Sequence, residues 1–130
     1  MEVLLLPVNK DLYSIPVHLF REVIAQPRIT RLPDAPPEVR GLINVRGEIV
    51  PLFDVLALLG TGAGAAASYA AVFDTSAGQA AIASTAPPYT EALGDRVGAA
   101  AVAGTRGVYQ QGENLATLLD LDKLLVRLRQ

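Results

Sequence analysis

The sequence predicts a mainly β domain built from two similar lobes around a shared hydrophobic core. Short apolar runs separated by turn residues indicate many β-strands. The 130-residue chain is 51% hydrophobic and 18% charged, which is enough apolar material for a substantial core. Two parts of the chain also repeat one another, and a half-chain alone would bury too little surface to be stable.

The first third of the chain is expected to contain strands and turns. Residues 3–8 and 12–17 are apolar runs on either side of a polar turn, which predicts a hairpin. Residues 18–24 indicate one helical turn leading into a strand. Residues 27–37 hold four prolines, so we expect a surface loop there.

The middle of the chain continues this pattern. Residues 41–53 predict two strands that turn at residues 46–48, and Asp54 is then expected to cap a short helix over residues 55–59. Residues 61–68 are rich in Gly and Ala, which favours a flexible loop. Residues 69–74 and 79–85 predict another hairpin.

The end of the chain resembles its middle. Residues 107–109 and 115–119 are apolar runs that bracket a turn. Asp120 is expected to cap a C-terminal helix from Leu121 to about Arg129. Residues 86–105 are harder to place, because 94–104 show no clear pattern.

An internal repeat connects these two parts. Between residues 40–59 and 106–125, at an offset of 66, six positions are identical, and apolar character is kept at others. The identical pairs are Arg40/Arg106, Gly41/Gly107, Leu52/Leu118, Asp54/Asp120, Leu58/Leu124 and Leu59/Leu125. The shared order, strand, turn, strand, Asp cap and helix, predicts a duplicated architecture.

Composition and residue types exclude several classes of function. The net charge of −2 argues against a nucleic-acid partner. There is no cysteine and one histidine, so we expect no disulfide and no metal site. The sequence shows neither a signal peptide nor an apolar run long enough to span a membrane, and we expect a cytoplasmic protein without direct membrane insertion.

No constellation of residues indicates catalysis. His18 has no cysteine to activate, and no serine is marked as a nucleophile. Residues 60–65 fit the G-x-G-x-x-G/A pattern, but a predicted helix precedes them and a strand follows soon after, which is the wrong context for dinucleotide binding. We therefore expect no catalytic residue and no cofactor.

Several segments together resemble one family. They are residues 13–17, 21–24, 29–33, 35–37, 41–55 and 58–60, followed by 106–109 and 118–125. The most specific is the sequence NVRG at residues 44–47, with Pro51 and Asp54 at fixed spacing after it. On these residues the chain resembles the CheW-like family of chemotaxis coupling proteins.

The resemblance implies a fold and partners. The fold would be two five-stranded SH3-like β-barrel lobes around a shared core, with short helices and a C-terminal helix. Residues 1–130 would form one CheW-like domain, with lobe one at about 12–65 and lobe two at about 66–120. Such adaptors link the cytoplasmic tip of a chemoreceptor to the regulatory domain of a chemotaxis histidine kinase, which has a similar fold.

The resemblance also implies a partner-binding surface. Arg46 lies between two apolar strands and needs a counter-charge, because an unpaired buried charge is costly. The resemblance makes Glu22 that partner, and the pair either shapes the receptor-binding surface or only holds the fold. Val17 and Phe20 flank Glu22 and are expected to offer an apolar anchor, with at least one of them exposed.

Other residues are expected to have structural roles. Gly41, Gly47 and Gly107 serve backbone geometry, and Asp54 and Asp120 cap helices. Two alternatives to the flagellar chemotaxis adaptor stay open: an adaptor of a pilus-driven twitching or other chemosensory system, and a β-barrel sensor of small molecules. The sensor would need a roomy pocket with convergent polar groups.

Overall fold

The computed structural model describes residues 1–126, which form strands, two short helices and a 3-10 turn. The strands are β1 Glu2–Val8, β2 Asp11–Pro16, β3 Phe20–Ala25, β4 Val39–Val45, β5 Glu48–Phe53, β6 Tyr69–Thr75, β7 Gly78–Ser84, β8 Tyr89–Ala92, β9 Arg96–Gly98, β10 Thr105–Gln111 and β11 Asn114–Leu119. The helices are α1 Val55–Leu58 and α2 Leu121–Val126, and the 3-10 turn is Val17–Leu19. The predicted continuation of the last helix to Arg129 lies outside the described residues.

The strands form two sheets, one in each lobe. The sheet of lobe one has the order β3-β6-β7-β5-β4, and that of lobe two has the order β8-β1-β2-β11-β10-β9. The predicted mainly β fold with two lobes and short helices is confirmed. The second sheet has six strands and not five, because β9 pairs with β10 at its edge through Gly98 and Val108.

The predicted boundary between the lobes, at residues 65 and 66, differs from the division between the sheets. Strands β6 and β7 belong to lobe one, while β1 and β2 pair with the C-terminal strands in lobe two. The reason is that β7 runs parallel to β5, and a parallel pair needs a crossover connection between its strands. Helix α1, residues 61–68 and β6 lie between β5 and β7 along the chain and supply that crossover, so β6 and β7 join the sheet of β5.

The internal repeat is visible in the structure. The unit β4-β5-α1 recurs as β10-β11-α2, with a break in register at Arg40 in one copy and at Arg106 in the other. The amide of Asp54 donates to the carbonyl of Glu38, and that of Asp120 donates to Gly104, both at 2.8 Å. Both copies also pair in parallel with a hairpin strand, β5 with β7 and β11 with β2.

The core has three parts. The largest lies between the sheets and contains side chains from both lobes and both helices. Its fully buried members include Leu6, Ile15, Leu58, Phe73 and Leu124, each worth about 1.5–3 kcal/mol relative to exposure to water. A smaller cluster fills each lobe on the other side of its sheet. The shared core therefore fixes the two lobes against one another.

Candidate partner-binding surface

The ion pair predicted between Glu22 and Arg46 is present. Arg46 lies in the turn between β4 and β5 with a φ of +52°, and Asn44 supports this turn by accepting a hydrogen bond from the Gly47 amide at 2.9 Å. The Nε of Arg46 donates to Oε2 of Glu22 on β3 at 2.9 Å. Since β3 and β4 are the two edge strands of their sheet, the pair connects opposite edges.

The expectation that Arg46 is buried between strands is wrong. Its side chain is 82% exposed, because it stands at the tip of the hairpin, and that of Glu22 is 30% exposed. The hydrogen bond to Glu22, together with the charge of its carboxylate, raises the pKa of Arg46 above the ordinary value for arginine. An ion pair so open to solvent contributes little to the stability of the fold. The main effect of the pair is therefore on the charge and shape of the surface.

Beside this pair lies a depression that we call the edge groove, with a volume of about 610 Å³. Most of its lining residues are apolar, and several polar side chains line it as well. The lining residues are Ile24, Gln26, Pro27, Arg28, Thr30, Leu42, Ile43, Asn44 and Ile49. The proline-rich loop forms one wall, held by two hydrogen bonds of 2.8 Å between Thr30 and Leu42.

Val17 and Phe20, the predicted apolar anchor, are both half-buried. Phe20 packs against the shared core, and its ring meets that of Phe73 edge to face with centroids 5.9 Å apart. The structure thus places Phe20 close to the core, two positions before Glu22. His18 lies between Val17 and Phe20 in the 3-10 turn, and it is exposed.

Ile49 was not singled out as a surface residue from the sequence. Its side chain is 63% exposed on β5, and its counterpart in the repeat, Leu115, is 56% exposed. Strand alternation could have shown this exposure, because successive side chains of a strand point to opposite faces. Val50 and Leu52 are buried, so Ile49 points outward.

Ile49 also lines a second depression, the α2 groove, of about 550 Å³. Here it stands beside Val39, Pro51 and Phe53 of lobe one, opposite Leu125 of α2. The two grooves therefore share Ile49 as an apolar ridge.

The residues with predicted structural roles lie in turns, at close backbone contacts and at the starts of helices. Gly41 has a φ of +147° and lies so close to Thr30 that a Cβ there would meet its carbonyl oxygen at 2.4 Å. Gly47 and Gly107 also have positive φ. Asp54 caps α1 by accepting from the amides of Leu56 and Ala57, and Asp120 accepts from that of Lys123.

Within residues 1–126, no group of three acidic, histidine or cysteine side chains is arranged to hold a metal ion. No helix in this part of the chain is long and apolar enough to cross a membrane. The described surface offers the edge groove and the α2 groove, with Ile49 as an apolar ridge between them. The Glu22–Arg46 ion pair lies beside the edge groove.

Comparison with known proteins agrees with this architecture. The model of the CheW-like domain family matches residues 2–129. The crystal structure of scaffolding protein TtCheW from Thermoanaerobacter tengcongensis has the same fold, with a TM-score of 0.78 at 18% identity over 95% of this chain and 91% of that one. Protein PilI of Pseudomonas aeruginosa is 45% identical over 40 residues, which are 31% of this chain and 22% of PilI.

Two sheets around a shared core give this chain the fold of a scaffolding protein, TtCheW. The chain belongs to the CheW-like domain family, since the match spans nearly its whole length. The family includes adaptor and scaffold proteins of chemotaxis signal transduction.

Proposed function

We propose that this chain is a non-enzymatic adaptor that couples the cytoplasmic tips of chemoreceptors to the regulatory domain of a chemotaxis histidine kinase. The observation that carries the proposal is the family match from residue 2 to residue 129. An adaptor acts by holding its partners in a fixed relation, which requires separate binding faces. It would work in the cytoplasm and reach membrane receptor arrays through its partners.

The surface around the Glu22–Arg46 pair is our candidate for receptor binding. Val17 and Phe20 add half-buried apolar area next to an exposed charge pair, and the edge groove continues from it. Apolar area beside charged groups gives an interface both affinity and specificity.

The α2 groove extends this candidate surface. A receptor tip is a helical hairpin, and an amphipathic helix binds by laying its apolar face into a hydrophobic groove. Ile49 is the ridge between this groove and the one beside Arg46, so one helical partner could touch both. The kinase regulatory domain would then use other faces of the lobes.

The experiment is a calorimetric titration of this protein with a receptor cytoplasmic fragment and, separately, with the kinase regulatory domain of the same organism. Glu22→Arg and Arg46→Glu are each expected to weaken receptor binding. The double variant that exchanges the two charges separates the two roles of the pair. Recovery of affinity means that the pair shapes the surface, whereas continued loss means that a charge contacts the receptor directly.

His18→Ala serves as the matched control, because His18 is exposed close by and has no predicted role in the ion pair. It should leave both affinities unchanged. Absence of binding to any receptor or kinase fragment, with the protein folded, would overturn the proposed function.

A second candidate is the same adaptor role in a pilus-driven twitching system or another chemosensory system. The identity to Protein PilI over 40 residues is the observation that favours including it. Titration against kinase regulatory domains from each chemosensory system of the organism would distinguish the candidates, since the cognate kinase should bind most tightly.

A further inference from the structure

The linker between α1 and β6, residues 61–68, is held by an unexpected set of hydrogen bonds. Its composition favours flexibility, and it forms neither helix nor strand. Yet the Gly64 amide donates to Oδ2 of Asp54 at 2.8 Å, and the carbonyls of Gly64 and Ala65 accept from Nη2 of Arg40 at 2.6 and 2.7 Å. The Ala65 amide donates to Oδ1 of Asn9 at 2.9 Å.

Arg40 is the centre of this arrangement. Its Nε and Nη2 donate to Oδ2 of Asp54 at 3.2 and 3.0 Å, and the Asp54 side chain is only 4% exposed. The guanidinium therefore neutralises a buried carboxylate and also reaches two backbone carbonyls. This requires the planar, forked donor geometry of arginine, which lysine lacks.

The linker also contacts both lobes. Asn9 lies in the turn between β1 and β2 of lobe two, and its own amide donates to Thr85 at 3.0 Å. A Cβ on Gly64 would lie 3.1 Å from Nη2 of Arg40 and 3.3 Å from Val8. Glycine thus allows the linker backbone to pass closely between Arg40 on one side and Val8 on the other.

The internal repeat supplies a comparison within the same chain. Arg106 occupies the same place in the second copy, yet it is exposed and its side chain makes no hydrogen bond or ion pair within residues 1–126. The bulge that Arg40 and Arg106 share therefore forms without such contacts. The carbonyl contacts of Arg40 belong to the linker, and its ion pair with Asp54 is not repeated between Arg106 and Asp120.

We propose that Arg40 is a positioning residue that holds residues 63–66 as an ordered strap between the two lobes. The Gly- and Ala-rich linker is then a fixed inter-lobe contact instead of a loose tether. The strap also forms part of the wall of a depression of about 450 Å³ beside Ile29 and Pro37, so Arg40 sets the shape of that surface. This inference does not depend on the proposed function, because no partner takes part in it.

The test is amide hydrogen exchange of the full-length protein, measured by NMR near neutral pH. In Arg40→Gln, the amides of Gly64 and Ala65 should exchange roughly tenfold or more faster, as expected when the hydrogen bonds that fix a segment are lost. Amides of the central strands β6 and β7 should keep their protection. Arg106→Gln is the matched control and should leave the strap unchanged.

A second variant guards against failure of Arg40→Gln to fold. Gly64→Ala leaves both members of the Arg40–Asp54 pair in place but crowds the strap against Arg40 and Val8. It should speed exchange at Ala65 while the Leu56 and Ala57 amides, which Asp54 caps, stay protected. The proposal would be overturned if the strap amides exchanged at the wild-type rate in Arg40→Gln or in Gly64→Ala. It would also be overturned if Arg106→Gln changed their exchange rates as much as Arg40→Gln does.

Discussion

Replacing Gly41 by alanine tests how the edge groove is built. Gly41 has a φ of +147°, and its added Cβ would lie 2.4 Å from the Thr30 carbonyl oxygen and 2.7 Å from Ile29. Backbone cannot yield as a flexible side-chain end can, so the proline-rich loop must move away. The two hydrogen bonds between Thr30 and Leu42 would then break.

Gly47→Ala is the matched comparison. Gly47 also has a positive φ, +88°, but a Cβ there would meet nothing within 4 Å. A non-glycine residue in such a conformation costs about 1–3 kcal/mol. Gly41→Ala carries this cost and loses two hydrogen bonds worth about 1 kcal/mol each, so we expect about 3–5 kcal/mol in total.

The assay is urea unfolding followed by far-ultraviolet circular dichroism, which compares the free energies of unfolding of the two variants. Thermal unfolding should agree, since 1 kcal/mol corresponds to a Tm change of about 4 °C for a chain of this size. A free energy of unfolding for Gly41→Ala equal to or above that for Gly47→Ala would refute the reasoning. It would mean that the loop yields at no cost and that the groove wall is not held by Thr30.

Three further predictions concern the core, the two capping aspartates and the response to pH. Phe73→Ala removes a fully buried ring and should lower the free energy of unfolding by about 3–5 kcal/mol in urea melts. Phe20→Ala should lower it less, because Phe20 is only half-buried. Equal losses for the two variants would contradict the assigned burial. Asp54→Asn should cost about 3–5 kcal/mol because it removes one charge of a buried ion pair. Asp120→Asn should cost little, because asparagine caps a helix about as well as aspartate, and similar melting temperatures for the two variants would argue against this difference. Burial raises the pKa of Tyr13 to about 12 in the folded protein, whereas a tyrosine in the unfolded chain titrates near 10. As the pH rises, the unfolded state therefore loses this proton first, and the free energy of unfolding should fall between about pH 10 and 12. Tyr13→Phe should flatten this decline in alkaline unfolding curves, and an unchanged slope would count against the shifted pKa.

Much of the fold followed from the sequence because the signals were local. The turn at residues 46–48, the Asp54 cap and the hairpin ending in Ser84 each depend on a few neighbouring residues, and each is present in the structure. The short strand β8, Tyr89–Ala92, was not predicted. Its pairing with β1 is a contact between distant parts of the chain, which no local pattern records.

The candidate site was predicted in its residues but not in its environment. The sequence together with the family resemblance put Glu22 next to Arg46, and the ion pair exists. The argument from burial failed, because apolar neighbours along the chain do not show that a hairpin tip projects into solvent. Ile49 could have been found from strand alternation, but its place between two grooves depends on α2, more than 70 residues away.

The sequence alone determined the mainly β class, the turns, the helix caps and the repeated unit, since each results from the local preferences of a few residues. The tertiary structure decided which hairpin joins which sheet, where Arg46 projects, and how Arg40 and Arg106 differ. Those depend on which distant backbone or charge comes near. Arg40 meets the carbonyls of Gly64 and Ala65 and the buried carboxylate of Asp54, while Arg106, in the matching Arg-Gly pair of the repeat, faces solvent.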